Sequence, residues 1–481
     1  MYRTGSLSSL RSKLDRLEGL KPATAEAQAG SLHSTQGVAA EIATSRSPLL
    51  DDLRARMHAV LEKTAQLRKR KPPEVDTRDE PDGGELPFVT TETDKGPLHL
   101  RRWRLSAAHR TGRASLLPAR DASAELLGCL ALDPSIAQCD PARALYLDTE
   151  TTGLAGGTGT VAFLVGLAQW EAPADPALGQ GSLVVEQVLV RNLGEEAPML
   201  EHVAARMRDA SMLVTFNGKT FDMPLLRTRF VMARIPVPSE LPHLDLLHVA
   251  RRLHKPRGVE CKLVNIERVI LGFERHDDVP SGDVSACYLH FLRTGDARAL
   301  LGVIEHNAWD VVAMAALVGL YGEPLAPDGT RGSLAADDLI GFARTMKRAG
   351  RHELAYDIAS RAVDQGAGHE SLRARAEIAK VRGDRERALV DYLALADKVD
   401  DPRVRLELAK LYEHYVKEPL RALGYVEAGT QEKPDAMSKR HARLTRKAER
   451  TRLRAGSEPL FAPGQVGEPV RTGRRGGTSR R

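Results

Sequence analysis

Three short segments between residues 143 and 192, "RALYLDTE", "TVAFLVGLAQW" and "SLVVEQVLVRN", are rich in β-branched and aromatic side chains and separated by turn-forming residues. That spacing predicts three strands joined by hairpins. "EEAPMLEHVAARMRDA" follows with a helical period, and then another strand candidate, "MLVTFNG". Hairpin strands that run into alternating helices and strands require a mixed sheet, antiparallel first and parallel after the crossovers. Upstream, "LPFVTTETDKGPLHLRRWRL" reads as a further strand pair and "SAELLGCLAL" as a helix leading into the core.

The first of the three strands ends in "DTE". Side chains alternate along a strand, so Asp148 and Glu150 share one face and Thr149 points away. Two carboxylates side by side repel unless a cation lies between them, and a hard divalent ion with oxygen ligands is the natural guest. A solvated strand end is the plain alternative for so short a triplet. Asp222 stands at the mouth of a helix in "TFNGKTFDMPLL", where it is either a cap or a ligand. Asp310 lies inside the apolar helix "VIEHNAWDVVAMAALVGL", with His306 one turn earlier on the same face. A carboxylate there is costly unless it is paired or bound to metal.

In this order the acids resemble those of the DEDD superfamily of 3′ to 5′ exonucleases, and more narrowly the YprB-type ribonuclease-H-like proteins. "LDTETTGL" is similar to the first motif, "TFNGKTFDMPLL" to the second and "HNAWDVV" to the third, and the likeness spans roughly residues 87–325. The resemblance implies an α/β fold, a ribonuclease-H-like mixed sheet flanked by helices. It also implies a site in which Asp148, Glu150, Asp222 and Asp310 hold two Mg²⁺ or Mn²⁺ ions that straddle a scissile phosphate of DNA or RNA. His306 would orient or deprotonate the attacking water, or else be an imidazole bonded to a backbone carbonyl. By the same resemblance Thr152 and Leu154 would contact the terminal sugar and the last base, with ordinary packing as the alternative for Leu154. Asn217 is either a substrate contact or the residue that forms an Asn-Gly turn, and Asp245 is a helper acid or a strand-end cap. One departure stands out: a His four residues before the last Asp falls between the family's subclasses, which place Tyr at four or His at five, and position five here is Glu305.

Beyond about residue 335 only helical patterns remain. Ala355, Ala388 and Ala422 recur at steps of 33 and 34, and Gly350 matches Gly383. That is the period of tetratricopeptide helix pairs, with an unrelated helical bundle as the alternative. The expected organisation is a largely disordered arm with short amphipathic helices over 1–84, an exonuclease-type domain over 85–330, tetratricopeptide-like repeats over 335–455 and a disordered basic tail over 456–481. The repeats would recruit a protein partner. A net charge of +6 and a pI near 9.1 suit a polyanionic partner, and the basic residues gather in "RKRK", "SKRHARLTRKAERTRLR" and the tail.

Four cysteines without CxxC spacing indicate neither a disulfide framework nor structural zinc. No signal-peptide core and no uninterrupted apolar run of membrane length is visible, so a cytoplasmic location is expected. "GLAGGTGT" lacks the Gly-Lys-Ser/Thr of a phosphate loop and reads as a hairpin turn. The residues alone leave three functions open: an exonuclease, a scaffold that binds nucleic acid or protein without turnover, and an endonuclease on the same fold.

Overall fold

The computed structural model describes residues 86–153, 159–172, 181–276, 278–322 and 334–455. The expected arm over 1–84, Leu154 with most of the glycine run, and the basic tail over 456–481 lie outside the described residues.

The strands are β1 (Val89–Thr93), β2 (Gly96–Ser106), a small hairpin of β3 (Arg110–Thr111) and β4 (Ala114–Ser115), β5 (Ala144–Thr151), β6 (Ala162–Glu171), β7 (Ser182–Leu189), β8 (Met212–Thr215) and β9 (His243–Asp245). Seven of them form one sheet in the order β1-β2-β7-β6-β5-β8-β9. Pairing is antiparallel from β1 to β5 and parallel between β5, β8 and β9, as the strand order predicts. The helices around it are α1 (Ala124–Ala131), α2 (Glu196–Asp209), α3 (Asp222–Met232), α4 (Leu246–Leu253), α5 (Val284–Thr294) and α6 (Arg298–Gly322).

Both faces of the sheet are covered, which is why its central strands read as nearly continuous apolar runs. Leu145, Leu147, Val165 and Leu213 pack under α2 and α3. Tyr146, Val185 and Val214 face the other way, into a core with the middle of α6. By length and composition α6 is apolar enough to cross a membrane, but 78% of its apolar window is buried inside the protein. It lies across β5, β6 and β7, and this crossing brings its acidic turn to the end of β5. Gly166 on β6, paired with Asp148, permits the approach: a Cβ there would come within 2.4 Å of Asn307 Oδ1 on α6.

The C-terminal helices α7 (Ala336–Arg348), α8 (His352–Asp364), α9 (Gly368–Arg382), α10 (Arg385–Ala396), α11 (Pro402–Leu411), α12 (Pro419–Glu427) and α13 (Pro434–Ala455) pack successively, each against the next. Ala355, Ala388 and Ala422 are fully buried on α8, α10 and α12. Gly350 and Gly383, which end the partner helices, are left-handed at φ of 78° and 85°. The third pair has Lys417 at this point, also left-handed at φ 65°, so the steps of 33 and 34 persist where the glycine does not.

Among the described residues the core continues across residue 335. Phe342, Ala343, Met346, Ala355 and Ile358 belong to the same apolar cluster as Tyr146, Val214 and the middle of α6. A Cβ at Gly341 would meet the backbone carbonyl of Leu253 at 2.5 Å, so α7 presses directly on the end of α4. Beside this contact His254 Nδ1 lies 2.7 Å from Asp338 Oδ1, its Nε2 lies 2.8 Å from the Tyr321 hydroxyl, and Arg257 donates to Asp338.

Candidate metal centre

β5 delivers its acids where the sheet opens. Asp148 and Glu150 leave the same face of the strand, and α6 brings His306 and Asp310 opposite them, one helical turn apart. A ligand atom from each of Glu150, His306 and Asp310 falls within 4.8 Å of the others. His306 Nε2 is 3.9 Å from Glu150 Oε1 and 3.6 Å from Asp310 Oδ2. Asp148 sits beside them, its Oδ2 accepting from Asn307 Nδ2 at 2.8 Å. Gln187 Nε2 in turn donates to Asn307 Oδ1 at 2.9 Å, which fixes the amide's orientation. Asp222 is the first residue of α3 and nearly buried, and its Oδ1 accepts the Thr149 hydroxyl. The Thr that points away from Asp148 and Glu150 therefore ties the third acid to the same strand end.

The electrostatics are those of crowded, dehydrated carboxylates. Burial, followed by repulsion from Asp310, Glu150 and Asp222, pushes the Asp148 carboxyl well above its ordinary range. Burial also raises Glu150 to about 8, against the opposing pull of His306, and raises Asp222 to about 6, against the Thr149 hydrogen bond. Burial would lower His306, but Asp310, the hydrogen bond to Asp278 and Glu150 outweigh it and lift the imidazole to about 10. Such a pocket favours either protons or an added cation. Oxygen donors from several carboxylates are the donor set of Mg²⁺ and Mn²⁺, so the acids present fit the ions that the sequence implies, with the His306 imidazole beside them.

Four residues that the sequence reading did not single out complete the pocket. Asp278 Oδ1 lies 2.6 Å from His306 Nδ1, so the ring is bonded to a carboxylate and not to a backbone carbonyl, and its other nitrogen faces the acids. Arg275 donates to Asp310 and to both oxygens of Glu267, a carboxylate without solvent exposure. Asn307 holds Asp148. Asn307 stands in the third motif, and Glu267, Arg275 and Asp278 fall in the stretch 243–282, which also resembles the narrower family; Arg275 and Asp278 lie on irregular backbone with no period to read, so no role could be given to them individually. Glu305, the residue at the five-position, turns away to Arg101 at 2.8 Å and is half exposed, which leaves His306 as the side chain that faces the pocket.

Thr152, Asn217 and Asp245 make local hydrogen bonds around the site. Thr152 pins the hairpin, with its hydroxyl accepting from the Val161 amide at 3.0 Å. Asn217 is left-handed at φ 73°, as a turn residue, and its amide donates to Asp245. Asp245 also accepts the amides of Lys219 and Leu247, so it braces the loop before Asp222 and caps α4. Leu154 lies outside the described residues.

Residues 145–321 match the family model described as RNase_H superfamily. The chain is similar to the uncharacterized protein YprB of Bacillus subtilis strain 168, with 36% identity over 178 residues. That match covers 37% of this chain and 40% of the relative, well under two thirds of either. The segment 145–321, which supplies five of the seven strands of the mixed sheet and carries the acids at the end of β5, is an RNase H-like domain.

Proposed function

We propose that this chain is a metal-dependent nuclease that hydrolyses phosphodiester bonds from the 3′ ends of DNA or RNA. The observation that carries the reading is the convergence of Glu150, His306 and Asp310 within 4.8 Å, with Asp148 alongside, in a domain of a nuclease-type fold. Asp148, Glu150, Asp222 and Asp310 hold two Mg²⁺ or Mn²⁺ ions in this proposal. Bound there, the ions supply Lewis-acid chemistry, promoting ionisation of a water and offsetting charge that develops on the phosphate.

The chain's own groups do the rest. Asp278 fixes the ring of His306 so that Nε2 points at the reacting centre. His306 Nε2, which faces Glu150 and Asp310, is placed to take the proton of the attacking water. Asn307 and Thr149 keep Asp148 and Asp222 from swinging out as charge accumulates. In this proposal Thr152, Leu154 and Asn217 contact the terminal nucleotide, and Asp245 braces the turn at Asn217. The C-terminal pairs act in this proposal as tetratricopeptide-like repeats that recruit a protein partner; the left-handed turns at Gly350, Gly383 and Lys417 support the repeat architecture.

Purified protein with Mg²⁺ or Mn²⁺, assayed on end-labelled single-stranded, duplex and circular DNA and RNA beside an Asp148→Ala variant, tests the reading. Shortening of linear strands from the 3′ end by the wild type and not by the variant is expected. Equal activity in both sinks the assignment, and cutting of circles replaces it with an endonuclease.

A further inference from the structure

Arg275 lies at the edge of the acidic pocket, with only 5% of its side chain exposed, on the irregular segment that precedes α5. Its Nε and Nη2 grip the two oxygens of Glu267. Nη2 also donates to Asp310 Oδ1, and Nη1 donates to the His306 carbonyl at 3.3 Å. A buried ion pair is costly to dehydrate, and apolar side chains of similar volume often serve stability as well or better. The guanidinium here spans the two turns of α6 that carry His306 and Asp310, and it occupies one carboxylate oxygen of Asp310. The other oxygen, Oδ2, is the one turned toward His306 Nε2.

We propose that Arg275, braced by Glu267, is a positioning residue for a divalent-cation site: by holding Oδ1 of Asp310 it presents Oδ2 toward Glu150 and His306. The inference rests on the proposed nuclease reading only for the class of ligand, a divalent cation, and its main test involves no hydrolysis. The plain alternative is that Arg275 only neutralises Glu267.

The two roles differ in sign. A fixed positive charge beside the site repels an incoming dication, so its removal through space tightens binding. Loss of a partner that orients a metal ligand weakens binding, typically about 10–100-fold. The experiment titrates full-length protein with Mn²⁺, reading free Mn²⁺ by electron paramagnetic resonance, for the wild type, Arg275→Met, Arg275→Lys and the double variant Glu267→Gln/Arg275→Met. Affinity is expected to fall about 10–100-fold in Arg275→Met. Arg275→Lys, which keeps the charge but not the fork, should fall in between. The double variant, with neither charge left uncompensated, should unfold near the wild-type temperature yet bind Mn²⁺ as weakly as Arg275→Met. With saturating Mn²⁺, kcat on a labelled strand should fall while KM stays within about twofold, since uniform binding is untouched.

Unchanged or tighter Mn²⁺ binding in Arg275→Met overturns the proposal, as does recovery in the double variant or a wild type that binds no Mn²⁺. Should Arg275→Met fail to fold, Arg275→Lys and the double variant carry the same comparison. A wild type that binds Mn²⁺ in the expected pattern but cuts no strand removes the nuclease reading and leaves Arg275 in its role. Active wild type with an Arg275→Met that binds and cuts normally does the reverse.

Discussion

Asp148, Glu150 and Asp222 retain protons at pH values where isolated carboxyls have lost them, and the cause is their burial among one another. The consequence for stability has a definite sign. Glu150 titrates near 8 and Asp222 near 6 in the fold but at ordinary values when unfolded, so the folded chain binds more protons across the interval. His306, lifted to about 10, adds to the same imbalance above its ordinary value. The contribution of this site to the stability of the metal-free protein should therefore fall as pH rises from about 4 toward 10, with each retained proton worth about 1.4 kcal/mol per pH unit. A divalent ion that takes the place of those protons should bind more tightly at pH 8 than at pH 6 and release protons as it binds. Calorimetric titration with Mn²⁺ in two buffers of different ionisation enthalpy reads this release, and identical heats in both would show that the acids are ionised before the metal arrives. At this scale the sequence revealed residues held by regular elements. The D-x-E alternation and the one-turn spacing of His306 and Asp310 follow from strand and helix periods. Arg275 and Asp278 enter through an irregular backbone whose path no period encodes, and Thr149 was passed over because alternation says where a side chain leaves the strand and not what meets it.

At the scale of elements, the sheet was legible because its strand order forces antiparallel pairs before parallel ones, and α6 was legible from its unbroken apolar run. The helix pairs were visible through their buried alanines, while the turn of the third pair was hidden because Lys417 stands where the earlier pairs have glycine. A left-handed backbone costs a residue with a Cβ roughly 1–2 kcal/mol, whereas glycine adopts it freely. Lys417 sits at φ 65°, after a π-helical turn over Tyr412–Val416. Lys417→Gly should thus stabilise the helical region by about 0.5–1 kcal/mol, somewhat less than the full strain because glycine also loosens the unfolded chain. Urea unfolding followed by far-ultraviolet circular dichroism checks it. A destabilised variant would mean that the lysine stem contributes packing that outweighs the backbone gain.

Across the whole molecule, the period change near residue 335 suggests a boundary, yet the packing there is continuous. One apolar cluster joins the face of the sheet at Tyr146 and Val214 to α6 and then to Phe342, Met346 and Ile358 on α7 and α8. Another cluster, around Leu372, Tyr392, Leu408 and Leu444, lies in the later helices, with Tyr356 and Val363 of α8 packed against it. Sequence periodicity reports which elements form, but a core can run through a change of period whenever the faces on both sides are apolar. The first helix pair is therefore bound to the α/β body more firmly than to a detachable module, and Gly341 is the point where this is easiest to break. A Cβ at that position would approach the carbonyl oxygens of Leu253 and Arg252 at 2.5 and 2.7 Å, and neither is a flexible side-chain end that can move aside. Overpacking of this kind costs about 1–3 kcal/mol, and a clash with backbone belongs at the upper end. If the cluster unfolds as one unit, Gly341→Ala should lower the midpoint of the α/β body and of α7–α8 together. Hydrogen exchange read by mass spectrometry should then show faster exchange in peptides from α4 and α6 as well as α7, while α11–α13 change little. Acceleration confined to α7 and α8 would show that the helical region opens on its own.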